Sequence, residues 1–264
     1  MRYILDNDLH IHSHISACSG DAEQTTDRIL KYALDNGLKT ICITDHFWDS
    51  DVVGASSWYA PQNFDRISGA LPLPCAEGVR FLFGCETELT KDLVIGISPK
   101  RFDSFDFVII PTTHFHMKGY TLTDGENESN ESRANAWVKR LGAVLDMELP
   151  FHKIGIAHLT CGLIDRNRED YLKTLELLPH DDMKRLFTKA AGLGVGIELN
   201  SLDMSFEMSE AETVLRPYRI ALDCGCKFYC GSDAHHPDTL EKARARFERA
   251  IDMLGLTEED KFII

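Results

Sequence analysis

Seven short, almost uninterrupted apolar runs punctuate the chain, at residues 4–11, 38–44, 79–85, 105–110, 153–158, 195–199 and 227–230. They lack the in–out alternation of strands that face water on one side. Runs of this kind are expected of parallel strands buried on both faces. Parallel strands need crossovers, and the intervening segments carry helical patterning. Thr26 is placed to cap a helix that reaches Asn36 and ends at Gly37. The segments 131–147, 180–193 and 210–223 read as further helices. Asp238-Thr239-Leu240-Glu241 resembles a capping box, opening a helix that stops at Gly255. Residues 93–97 read as one extra short strand. Alternating strand and helix define an α/β fold. About seven such units in 264 residues point to a TIM-like (β/α)7 barrel rather than an open sheet. No linker-like stretch divides the chain, so residues 1–264 are expected to form a single domain.

Barrel enzymes place their chemistry at the C-terminal ends of strands. A site would therefore show as polar residues just beyond each run, and the histidines behave this way. Of eleven, only His152 and His180 fall elsewhere. Asp8-Leu9-His10-Ile11-His12 closes the first run. Residues two apart on a strand project to one side, so His10 and His12 can grip one ion. A solvated edge strand has the same spelling, but the flanking Ile4, Leu5, Leu9 and Ile11 argue for burial. Thr44-Asp45-His46, Gly84-Cys85-Glu86-Thr87-Glu88, Thr112-Thr113-His114-Phe115-His116 and Ala157-His158 close the next four runs. Glu198 and Asn200 end the sixth, as braces for a ligand or as packing. Gly231-Ser232-Asp233-Ala234-His235 ends the seventh. Taken singly, each suits a turn, a cap or a hydrogen-bonded structural residue. Together they bring about nine N and O donors to one barrel mouth, and zinc usually takes about four. More than one metal is the economical inference.

The charge balance supports this. The chain has 28 basic and 42 acidic residues, a net charge of −14, which argues against a broad basic face for nucleic acid. An anionic substrate would then need positive charge supplied locally, as metal ions supply it. No apolar run approaches the roughly 20 residues of a membrane span, and the first residues meet Asp6 too early for a signal peptide. A cytoplasmic protein is expected, without nucleic-acid or membrane partners. Eight cysteines without a secretion signal read as small buried hydrophobes. Cys224-Gly225-Cys226 with Cys230 is too irregular for a structural zinc site and reads as core.

In order and spacing, Asp8-x-His10-x-His12, Thr44-Asp45-His46, Gly84-x-Glu86, His114, His158 and Ser232-Asp233-Ala234-His235 resemble the successive motifs of the polymerase and histidinol phosphatase (PHP) superfamily. The resemblance runs from residue 8 to residue 236. It implies a distorted (β/α)7 barrel and a metal-dependent phosphoesterase carrying two or three divalent ions, zinc, manganese or iron. It implies a first ion on His10, His12, Glu86 and Asp233. A second would take Glu86 as a bridge, with His114 and His158. A third would take His46, His235 and a residue of the loop after the first strand, commonly His or Asp in the family. Here that position is taken by Cys18, either as a thiolate ligand or as a thiol without a ligand role.

The reaction so implied is hydrolysis of a small-molecule phosphate monoester by a metal-activated hydroxide, with histidinol phosphate as one candidate substrate. His116 and Asp45 are the candidate catalytic residues. His116 would protonate the leaving oxygen. Asp45, like Asp8, would orient a ligand ring or cap a turn. His14 and His236 are phosphate contacts or plain loop residues, and Lys118, Arg166 and Arg168 are contacts to an anion or solvated surface. The loops 45–62, 112–130 and 159–170 should shape the pocket. Phe47, Trp48, Trp58 and Tyr59 would wall it or pack the first loop down. Two other readings remain. A metal-dependent amidohydrolase shares the H-x-H pair, but commonly bridges its metals with a modified Lys where this chain has Glu86. A non-catalytic metal-binding domain, as attached to some polymerases, is the other.

Overall fold

Each apolar run becomes one parallel strand: β1 (Asn7–Ile11), β2 (Thr40–Ile43), β3 (Arg80–Glu86), β4 (Phe107–Pro111), β5 (Ile154–Ala157), β6 (Gly196–Asn200) and β7 (Lys227–Gly231). They stand side by side in chain order. The structure is a computed structural model and describes residues 1–264. Strands β3, β4, β6 and β7 outrun their apolar stretches by one residue each, at Glu86, Pro111, Asn200 and Gly231. Backbone pairing thus continues one step into the polar motifs and makes their first residues rigid. Helices α1 (Thr26–Asn36), α2 (Phe64–Ile67), α3 (Asn130–Asp146), α4 (Arg168–Glu176), α5 (His180–Leu193), α6 (Ala211–Asp223) and α7 (Pro237–Leu254) form the crossovers. The main apolar core lies between them and the outer strand faces.

Several boundaries differ from the sequence reading. Thr25, not Thr26, caps α1 by accepting from Arg28 N. The cap of α7 is His236, whose ring accepts from Asp238 N at 3.2 Å, with Pro237 as the first helical residue. His236 also meets Asp21 at 2.7 Å, so it is engaged away from the metal ligands. Residues 93–97 form no strand and contribute one isolated bridge, Leu89 to Ile95. Helix α4 begins inside the stretch read as a loop. All eight cysteines are free, and Cys226 and Cys230 are buried as core residues.

The barrel closes between β1 and β7 along a seam that backbone pairing only partly joins. At the top, Asp233 N donates to His10 O at 2.7 Å, and His12 N donates to Ala234 O at 3.1 Å. Lower down, side chains replace the missing ladder. Asn7 Oδ1 accepts from Cys230 N and Asp8 Oδ1 from Ser232 N, both at 2.9 Å. Buried backbone donors must find partners, and here polar side chains on β1 provide them. Asp8 also accepts from Tyr32 OH on α1 at 3.2 Å. It therefore ties the seam together and orients no histidine ring, a correction to one reading above.

Inside the barrel a small apolar layer joins Leu9, Cys42, Leu82, Phe107, Ile109, Ala157 and Tyr229. Its last member comes from the tail. Phe262 follows all seven strands in the chain and inserts between the strand starts. Its N–H donates to Phe228 O at 2.8 Å, and its ring lies 5.9 Å from that of Phe107 and 6.1 Å from that of Tyr229. The strand starts are thereby plugged, leaving the C-terminal strand ends as the open mouth.

Candidate metal centre

The site begins with a fault in β1. Asp8 pairs with Ile41 and Ile11 with Ile43, three steps on one strand against two on the other. The extra residue is a bulge, and bulges re-aim side chains next to functional sites. Leu9 faces the interior layer and, after the bulge, so do His10 and His12. Without it the strand period would send His10 outward with Asp8. The two imidazoles are wholly buried, with their Nε2 atoms 3.1 Å apart.

Opposite them stands Glu86, the last residue of β3. Its Oε2 lies 3.3 Å from His12 Nε2, 3.6 Å from His10 Nε2 and 2.9 Å from His46 Nδ1. Its Oε1 lies 3.3 Å from His158 Nε2 and 3.8 Å from His114 Nε2. One carboxylate thus divides its oxygens between two groups of histidines, as a bridge between two ions would. Asp233 completes the first group, 3.2 Å from His12 Nε2 and 3.5 Å from His10 Nε2. Ligand atoms about 2.0–2.1 Å from a tetrahedral ion lie roughly 3.3 Å from one another, which matches these separations. His12, Cys18, His46 and His235 form a further group whose donor atoms all lie within 4.8 Å of one another. The residues fit a metal on a second count. His12 Nδ1 and His46 Nδ1 are buried without any hydrogen-bond partner, since the close approach of His46 to Glu86 lacks hydrogen-bond geometry.

Electrostatics point the same way. Burial works against the Glu86 charge, yet His46 and His10 hold its pKa well below the usual carboxylate range. Asp233 is lowered likewise, by His10 and His12 against burial. Burial also opposes the charge of His10, and the carboxylates of Glu198, Asp233 and Glu86 together overcome it and raise its pKa. Anionic oxygens kept ionised in a dry pocket, with histidines drawn toward them, make a place for a cation. Two of these residues carry backbone strain as well. His158 and Asp233 have φ of 63° and 53°, a left-handed conformation that costs a non-glycine residue about 1–3 kcal/mol and concentrates at functional sites.

The ligands are themselves held. Glu198 on β6 accepts from His10 Nδ1 at 2.6 Å and from His158 N at 3.0 Å. It resolves the open reading of Glu198 in favour of a brace. It reaches His10 only because residue 231 is Gly: a Cβ there would overlap the Glu198 carboxylate and lie 2.7 Å from His10 Cβ. On the other side Glu88 accepts from His114 Nδ1 at 2.8 Å, from Tyr59 OH at 3.1 Å and from Leu89 N at 2.9 Å. In both cases the Nδ1–H is engaged and Nε2 is left to face the cluster, the tautomer a metal requires. Behind Glu88 lies Arg140 of α3, buried to 1% exposure. Its guanidinium donates to the carbonyls of Leu89, Thr90, Thr112 and Thr121, and so clamps the loops after β3 and β4 together. The spacing of a lone Arg on a helix carries no signal of this.

Glu198→Gln tests the brace. The amide presents either an oxygen or a nitrogen to His10 and loses the charge, so metal affinity at the first group is expected to fall about 10–100-fold. Competition with a graded chelator reads this directly. Unchanged affinity would mean that Glu198 packs the barrel and nothing more.

Of the two candidate catalytic residues, Asp45 gives one oxygen to Ser13 N and the other to Ser13 Oγ, both at 2.7 Å. Its carboxylate is engaged in fixing the loop after β1, which carries Cys18. His116 is half-buried and borders the open mouth. Burial, the neighbouring His114 and the Arg166 charge lower its pKa to about 4, against the Glu88 carboxylate, which raises it. A cavity of about 220 Å³ covers the cluster, bounded by Cys18, Trp58, Tyr59, His116, Met117 and Leu163. Phe47 and Trp48 are buried and pack the first loop down, whereas Trp58 stays 40% exposed at the rim. His14 is exposed on its loop. Arg168 is taken by Glu210 through Nε and one terminal nitrogen of its guanidinium and lies over Tyr171.

The sequence profile of the PHP domain matches residues 8–256. No curated protein sequence matches the chain. Among solved structures, a histidinol phosphate phosphatase from Lactococcus lactis subsp. lactis Il1403, complexed with zinc, L-histidinol and phosphate, superposes with a TM-score of 0.58. The match covers 93% of each chain at 18% identity, a likeness of fold. No helix is long and apolar enough to cross a membrane.

Proposed function

The chain belongs to the PHP domain family, and from that premise we propose that it is a metal-dependent phosphoesterase that hydrolyses a small-molecule phosphate monoester. The observation that carries this reading is the division of Glu86 between two histidine groups. A first ion is assigned to His10, His12, Glu86 and Asp233, and a second to Glu86, His114 and His158. A third is assigned to His46, His235 and Cys18, with His12 alongside. Divalent ions bound there would supply Lewis-acid charge to the phosphate and a water of lowered pKa.

The chain's own residues do the rest. Glu198 and Glu88 hold two ligand rings in one tautomer and orientation. Asp45 and Ser13 fix the loop that brings Cys18 over the mouth. Trp58 and Met117 border the cavity. His116 borders the cavity and is assigned to the leaving oxygen, a role for which it must take up a proton against its burial and the neighbouring His114 and Arg166. A cavity of about 220 Å³ over the cluster suits a small phosphorylated molecule. Histidinol phosphate, whose alcohol was bound in the solved neighbour, is one member of the substrate panel.

The test is phosphate release from a panel of phosphomonoesters, before and after chelation and with zinc, manganese or iron restored. Release that the chelator removes and an added metal returns is the expected result. Silence from a protein shown to be fully metallated would move the assignment to hydrolysis of a C–N bond or to a binding role.

A further inference from the structure

The cavity over the metal centre has a neighbour. Beyond His116 and Leu163, which border both, a second cavity of about 350 Å³ opens between the loops after β4 and β5. Lys118, Arg133 and Arg166 face it, with Asp165. Arg133 is engaged: it pairs with Asp165 at 2.9 Å and hydrogen-bonds Asn127 and Asn130. That pair neutralises itself. Lys118 and Arg166 have no ion pair and no side-chain hydrogen bond, so the cavity keeps two free positive charges in a protein of net charge −14. The first cavity, at about 220 Å³, has room for the reacting centre and its phosphate. An alcohol that extends past them on the side of His116 and Leu163, the residues common to both linings, enters the second cavity.

We propose that the alcohol half of the substrate carries its own anionic group, and that Lys118 and Arg166 bind it. This rests on the phosphoesterase reading and narrows it to a phosphoester with a second anion on its leaving group. Ionic hydrogen bonds from a guanidinium and an ammonium recognise such a group, whether carboxylate or phosphate. An alcohol bearing an ammonium, as an aminoalcohol ester does, would be repelled by the same two charges.

Aryl phosphates of nearly equal leaving-group basicity separate the possibilities. Phenyl phosphates carrying para carboxymethyl, phosphonomethyl, hydroxymethyl or aminomethyl groups would be compared with the metal-loaded protein. The expected order of kcat/KM places the two anionic esters about tenfold or more above the neutral one, as one good charged contact implies, and the ammonium ester below it. The better anionic ester names the anion. In the Lys118→Gln/Arg166→Gln double variant the ratio of anionic to neutral ester should collapse toward one. Equal rates for all four esters, or a preference that survives in the double variant, would overturn the proposal. The corresponding non-hydrolysable benzylphosphonates keep the two questions apart. If no ester turns over, the phosphoesterase reading fails. A tighter Kd for the carboxymethyl benzylphosphonate than for the hydroxymethyl one, lost in the double variant, would still place the anion site. Equal Kd values would remove it.

Discussion

Replacing Glu86 by Ala should abolish phosphate release, with a loss on the order of 10³-fold or more, because it removes a shared ligand and not a single one. The two oxygens serve different histidine groups, so the variant should lose occupancy at two positions together. Metal analysis after gel filtration is the sensitive readout. The histidines, deprived of the carboxylate that draws them in, should bind less than half of the wild-type metal content. Glu86→Gln separates charge from shape: it preserves packing in a pocket where Glu86 is 1% exposed and should still fail to bridge. Turnover at the wild-type rate with metals retained would sink the bridging assignment.

The largest effect on stability is expected at a residue that touches no metal ligand. Arg140→Met keeps much of the volume and removes the guanidinium. Four backbone carbonyls then lose their donor, and Glu88, 3.8 Å from the Arg140 NH2 nitrogen, loses its nearest cation. Breaking such a buried charged network by removing one partner costs about 3–5 kcal/mol. For a domain of this size that lowers Tm by roughly 10 °C. The damage should also reach the chemistry. Glu88 holds the His114 ring, and Arg140 holds the loops on either side of it. Metal affinity at the second group should fall even at temperatures where the variant is folded. A Tm within 2 °C or so of wild type would show that water takes over the carbonyls, an outcome expected only if the site is wetter than its burial implies.

The strands and the convergence of the candidate ligands were legible for one physical reason. Parallel strands covered on both faces leave continuous apolar runs, and a barrel puts its polar chemistry where those runs stop. His10, His12, His46, Glu86, His114, His158, Asp233 and His235 all converge as that logic requires. What the sequence hid lies in contacts across the barrel. Nothing near His10 announces that Glu198, 188 residues on, will hold its ring. The bulge that turns His10 inward is a mismatch with β2 and exists only once both strands are paired. Asp8 and Asp45 sit beside ligands in the chain, yet Ser232, Tyr32 and Ser13 claim their oxygens. Adjacency along a strand is a poor guide to contact, since neighbours point to opposite faces. The cap of α1 lies one residue earlier than read because Thr25 and Thr26 are chemically equivalent candidates, and that of α7 lies two earlier because the His236 ring does the work expected of Asp238.

Phe262 carries a consequence for how the molecule is made and handled. A ribosome delivers this chain from residue 1 onward, and the ring that fills the floor of the barrel emerges after every strand. Until then the interior layer of Leu9, Phe107 and Tyr229 has an open side. A barrel without that ring would carry a cavity in its floor, a loss of about 3–5 kcal/mol. The same geometry sets a practical rule. Phe262 holds the last described residues on the face opposite the mouth, so chain attached there points away from the candidate site. A bulky partner threaded against Arg80, which holds the Ile264 carbonyl at 2.9 Å, would instead unseat the floor.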